Sequence, residues 1–97
     1  MDDERETLKA TIRDALRMIV DPEIGGSLVD LGLIYDIAVE EGGIARITMT
    51  TTTRGCPATS FLKEAVERCV SNVAGIEHAH VRLTYEPPWT PQMMVET

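Results

Sequence analysis

Basic residues are the minority in this chain: nine Lys and Arg stand against sixteen Asp and Glu, for a formal charge of −7. That shortage argues against nucleic acid as the main partner, because phosphate binding needs a basic face. It argues equally against an anionic membrane surface. Long apolar runs are missing as well, and nothing approaches the roughly 20 apolar residues of a spanning helix. The opening Met-Asp-Asp-Glu-Arg-Glu lacks the apolar stretch of a secretory leader, so a cytoplasmic location is expected, where thiols stay reduced. Only two cysteines occur, Cys56 and Cys69, and they are expected to be free or metal-bound rather than bridged. Aromatic residues are rare at 4%, but an apolar fraction of 43% supports one modest core. A single domain over residues 1–97 is expected, with residues 89–97 an extended tail.

What is present has clear periodicity. Leu8, Ile12, Ala15, Leu16 and Ile19 recur at helical spacing, predicting an amphipathic helix from about Glu4 to Val20. Asp21-Pro22 stops it, since a residue before proline avoids the α region. After a loop containing Gly25-Gly26-Ser27, Leu33, Tyr35, Ile37 and Val39 alternate with Ile34, Asp36, Ala38 and Glu40, the pattern of a strand with one mainly apolar face. Glu41-Gly42-Gly43 reads as a hairpin turn, and Ile44 to about Thr53 as the returning strand. A second helix is predicted from Pro57 to about Val73, stopped by Gly75. Val81, Leu83 and Tyr85 form a last strand before Pro87-Pro88. The order α-β-β-α-β predicts an α+β fold, a two-layer sandwich with both helices on one face of a three-stranded mixed sheet.

The Arg54-Gly55-Cys56-Pro57 step places a thiol where a Thr-rich strand hands over to a helix. Proline suits the first helical position. A cysteine at or beside the N-cap meets free N–H groups and the positive end of the helix dipole, which favours the thiolate. Thiolate is the form that binds metal or attacks an electrophile. A helical crossover makes the third strand parallel to the second, so the Asp21–Gly32 loop, the Cys56 turn and the Pro-Trp tail are expected to meet at one sheet edge.

The other chemistry-bearing residues are weaker candidates. Cys69 lies on the apolar stripe between Val66 and Val73 and reads as core. Asp21 and Asp30, at the two ends of the first loop, fit turn capping, with a ligand or contact role left open by their place near Cys56. His78 and His80 sit before or on the last strand, at the far end of the crossover helix, and read as surface residues. With no other histidine present, Cys56 lacks a base, which counts against a thiol enzyme. Trp89, Met93 and Met94 are open between a lid on the domain and an anchor for a partner.

Asp21-Pro22-Glu23-Ile24, Val29-Asp30-Leu31-Gly32-Leu33-Ile34-Tyr35, Thr53-Arg54-Gly55-Cys56-Pro57 and Pro87-Pro88-Trp89-Thr90-Pro91 together resemble the SufT/PaaD-type iron–sulfur assembly family. The resemblance runs from about Asp21 to Met94. Gln92 stands where an acidic residue is common in the tail motif. It implies a small domain related to the NifU C-terminal scaffold, a role in maturing iron–sulfur proteins, and Cys56 and Asp21 as the motif cysteine and aspartate. Around Cys56 we take Asp21, Glu23, Asp30, Thr53, Arg54, Gly55, Pro57, Trp89 and Met93 as shaping the site or contacting a partner.

A cluster usually wants four cysteine ligands, and this chain offers one credible thiolate. The expected function is therefore non-enzymatic: an accessory factor in iron–sulfur cluster assembly or transfer, with Cys56 as a transient ligand to iron or a cluster that no single chain holds stably. The expected partners are the assembly machinery and client apo-proteins, with a homodimer as one way of sharing the ligands. The alternative is a metal-free interaction module, or a small accessory subunit of a multicomponent enzyme.

Overall fold

The computed structural model describes residues 2–52 and 58–94. Helix α1 (Asp2–Leu16), strands β1 (Ile34–Glu40) and β2 (Ile44–Met49), helix α2 (Ala58–Ser71) and strand β3 (His78–Leu83) follow in that order, and a 3-10 turn spans Pro91–Met93. The sheet order is β1-β2-β3, with β2 antiparallel to β1 and parallel to β3. Both helices pack on one face and touch each other, which gives the two-layer α+β sandwich expected from the sequence.

Each element follows from its apolar spacing. Ile12 and Leu16, one turn apart on α1, are fully buried; on α2 the buried residues are Leu62, Val66 and Val70. They meet Ile37 and Val39 of β1, Ala45, Ile47 and Met49 of β2, and Val81 of β3. Burying each such side chain contributes about 1.5–3 kcal/mol before conformational entropy is subtracted. Gly42 and Gly43 close the hairpin with φ of 84° and 75°, which matches the twist of the flanking strands. The opposite face of the sheet carries Asp36, Ala38, Arg46, Thr48, His80 and Arg82 and has no helix over it.

Strand β2 stops at Met49 rather than about Thr53, and β3 spans His78–Leu83 rather than Val81 to Tyr85; two further expectations are corrected. The first helix ends at Leu16, not Val20, because Ile19 to Asp21 run extended instead: Val20 bridges Ser27, Leu28 N–H donates to the Ile19 carbonyl at 3.0 Å, and Asp21 N–H to the Gly26 carbonyl at 2.9 Å. Two β-branched residues followed by a pre-proline aspartate favour that course. The alternation assigned to the first strand is also broken. The register steps from Ile34↔Met49 to Asp36↔Thr48, so Tyr35 is the extra residue of a β-bulge. Leu33 and Ile34 are both buried, while Tyr35 turns out of the core rank it was assigned to.

Candidate functional site

The sheet ends on the rung Ile34–Met49–Leu83, and three segments leave or enter it there. The loop before β1 is tied to this edge by Thr50 N–H, which donates to the Leu33 carbonyl at 2.9 Å; the chain after β3 is tied to it by Thr84 N–H, which donates to the Met49 carbonyl at 2.9 Å. The edge is thus where topology brings the first loop, the end of β2 and the tail together.

Asp21 opens the loop and is buried, with 1% of its surface exposed. Its Oδ1 accepts the Glu23 N–H at 2.8 Å across Pro22, and its carbonyl accepts the Gly25 N–H at 2.8 Å. The aspartate therefore shapes the turn that presents Glu23. Glu23 in turn accepts a hydrogen bond from the Thr52 hydroxyl at 3.2 Å, joining the loop to the chain just past β2. We expect Asp21→Ala to lose about 1–2 kcal/mol, the scale of one part-buried hydrogen bond to a carboxylate, whereas Asp21→Asn keeps the acceptor and loses less than half as much. Urea midpoints of the two variants test this: equal losses would assign the effect to the charge rather than to the turn.

The tail folds back as a strap. Trp89, half-buried against the core, donates its indole N–H to the Leu31 carbonyl at 2.7 Å. The bulged Tyr35 donates its hydroxyl to the Pro87 carbonyl at 2.7 Å, with Met93 Sδ 3.7 Å from the same oxygen. Burial pushes the Tyr35 phenol pKa up, and a hydrogen bond with Thr50 opposes that in part. The Thr51 hydroxyl and the Tyr85 hydroxyl are 2.9 Å apart, so the strap also holds the segment after β2. Of the two readings left open for Trp89 and Met93, a cover on the domain is the arrangement present.

Thr53, Arg54, Gly55, Cys56 and Pro57 lie outside the described residues. Asp30 pairs with Arg17 after α1, at 3.9 Å, rather than with the Glu23–Thr52 contact. His78 and His80 are exposed on β3. His78 pairs with Ile44 at the hairpin end of the sheet, five residues, or about 16 Å, from the Met49–Leu83 rung. Cys69 is half-buried on α2, and burial pushes its thiol pKa up. Among the described residues no cluster of three or more His, Cys, Asp or Glu side chains is placed to hold a metal ion, and no helix is long and apolar enough to cross a membrane. Tyr35, Thr51, Thr52 and Tyr85 were not among the predicted site residues. Tyr35 stood inside a quoted motif, whereas only the fold brings Tyr85 to Thr51.

The molecule is thus a small α+β sandwich whose first loop, strand end and strap meet at one edge. Residues 9–83 match the model of the iron–sulfur cluster assembly protein family, and the chain belongs to that family. It is 38% identical over 89 residues to the Fe-S protein maturation auxiliary factor YitW of Bacillus subtilis, covering 92% of this chain and 87% of that protein. An iron-sulfur cluster carrier protein of Synechocystis is 40% identical over 73 residues, which are 75% of this chain but 20% of the carrier. The crystal structure of a domain of unknown function from Bacillus anthracis superposes with a TM-score of 0.93 at 32% identity, over 99% of this chain and 92% of that one. The α+β fold expected from the element order and the family expected from the four motifs both hold.

Proposed function

We propose that this protein is a non-enzymatic accessory factor in iron–sulfur cluster assembly or transfer, with iron or a cluster as cargo and Cys56 as its transient ligand. Family membership supports the role, and the Glu23–Thr52 hydrogen bond supports the place. That contact sets a buried-aspartate turn against the chain one residue before the Thr53–Pro57 segment. Asp21 and Glu23 shape the approach to Cys56, and the strap holds the loop that carries them.

Ligand arithmetic makes the holding brief. A cluster takes four thiolates in its usual form, and of the two cysteines in the sequence one is half-buried with a raised pKa. The missing ligands come from a client apo-protein, the assembly machinery, a small thiol or a second copy of the chain. A protein that cannot complete the coordination shell alone releases its cargo easily, which suits transfer better than storage.

Anaerobic reconstitution with iron and sulfide, read by visible absorbance, tests the reading when coupled to an apo-dehydratase that needs a [4Fe-4S] cluster. The chain alone is expected to acquire less than one cluster per molecule, and to restore dehydratase activity faster than iron and sulfide do by themselves. Acceleration without any absorbance on the chain would favour the metal-free adaptor, and no acceleration would remove the maturation role.

A further inference from the structure

The helix-free side of the sheet has a concavity beside the strap. Where the strap leaves β3 it crosses this face, and Ile34, Thr48, Arg82, Thr84, Pro87 and Met93 are among the residues enclosing a groove of about 550 Å³. That volume is within the usual range of ligand sites, roughly 300–1,000 Å³. Its lining is partly apolar, with Ile34, Pro87 and Met93, and partly polar, with Thr48 and Arg82 side by side on paired strands.

Arg82 gives the groove its chemistry. In a chain with sixteen acidic residues, cations find partners easily, and Arg5, Lys9, Arg17, Arg46 and Lys63 each have a carboxylate within 4.0 Å. Arg82 is exposed and has no ion-pair partner among the described residues, although Asp36 shares its rung and Glu86 lines the same groove. Arg13 and Arg68 are likewise unpaired but belong to the last turns of the helices, outside this groove. An unpaired guanidinium beside an apolar wall fits a carboxylate carried next to an aliphatic group.

We propose that this groove docks an extended segment of a partner protein, with an acidic side chain on Arg82 and an aliphatic one against Ile34, Pro87 and Met93. A free small anion is a poor occupant, because the open groove leaves it largely in water. A chain segment continues past the groove and gains contacts on both sides. The inference rests on the maturation reading only for the kind of partner, a client or assembly protein. Gly32 and Met93 line the groove as well as the loop–strap contact, so a segment seated here lies beside the loop that leads to the cluster site.

Amide shifts of the labelled full chain, titrated with acetyl-Ala-Leu-Glu-Val-Ala-amide, its Gln analogue and acetate, test the docking site. The Glu peptide is expected to move the amides of Gly32, Thr48, Arg82 and Thr84 saturably and to bind about tenfold tighter than the Gln peptide, the scale of one charge-assisted hydrogen bond. Arg82→Gln, a surface change, is expected to erase that tenfold difference while leaving cluster uptake in the reconstitution assay as in the wild type. No shifts, a Glu-over-Gln preference that survives Arg82→Gln, or the same shifts with acetate would each overturn the proposal. No acceleration of the apo-dehydratase by the wild-type chain, with its peptide binding intact, would instead count against the maturation reading alone.

Discussion

Gly32→Ala is expected to unseat the strap and lower the melting temperature by well over 10 °C. Gly32 has φ of +77°, and a Cβ built there collides with the Met93 carbonyl oxygen and falls 2.9 Å from its carbon. The positive φ costs an L-residue about 1–2 kcal/mol. The clash is with backbone, which cannot rotate away as a side-chain tip does, and forced overpacking costs about 1–3 kcal/mol more. For a chain of this size each kcal/mol moves the melting temperature by about 4–8 °C. Gly42→Ala is the matched control, because Gly42 has φ of +84° with nothing within 4 Å of its Cβ, so it suffers the backbone strain without the collision. The sequence has one tryptophan, and it sits on the strap, so its fluorescence reports the strap directly. Gly32→Ala is expected to shift Trp89 emission to the red and open it to acrylamide quenching, and Gly42→Ala to do neither. Unchanged Trp89 emission in Gly32→Ala would show that the strap can shift as one piece and that Gly32 does not seat it.

That collision shows why some of the site was legible in the sequence and some was not. Helices, strands and their order follow from periods of 3.6 and 2, which local composition carries; Leu62 and Val66 could be placed on the core without any neighbour. Strand direction then fixed which ends of the chain share an edge, and the Thr52–Glu23 and Trp89–Leu31 contacts lie at that edge. What periodicity does not carry is a register slip. Tyr35 alternates in sequence with Asp36 like any core residue, and only its pairing against β2 makes it the bulged residue that reaches Pro87 and Met93.

The end of α1 was misplaced for a related reason. Ile19 continues the apolar helical spacing, so the pattern extends past Leu16, but the same β-branched residues serve the extended course toward Ser27 equally well. A tertiary pairing decided between two local options that the sequence left nearly balanced. The tail behaved likewise: with no period of its own, its course is set by single contacts such as the indole on the Leu31 carbonyl. Asp21 was recognised as a turn residue, and its near-complete burial adds a point that its sequence neighbourhood did not carry. Its Oδ1 is engaged by the Glu23 N–H, so the carboxylate shapes the turn that presents Glu23.

Cys56→Ala is expected to reduce cluster-dependent activation of the apo-dehydratase to the rate given by iron and sulfide alone, and Cys69→Ala to leave it near wild type. The contrast follows from thiolate availability. A ligand or acceptor thiol must deprotonate, and burial on α2 pushes the Cys69 pKa up and keeps it protonated. Cys69 also packs against the core, so its replacement by alanine is expected to cost some stability, and both variants belong in assays run well below their melting temperatures. Cys56 follows Arg54-Gly55 and precedes Pro57 and the start of α2 at Ala58, a sequence setting with a cation and a helix start to favour its thiolate. Thiol alkylation at neutral pH gives the second readout: Cys56 is expected to react first and to be protected when iron and sulfide are present. Full activation by Cys56→Ala would leave the protein as a metal-free adaptor acting through its loop, strap and groove. Loss of activation in Cys69→Ala alone, with its fold intact, would move the ligand to α2 and away from the edge that Glu23, Thr52 and Trp89 define.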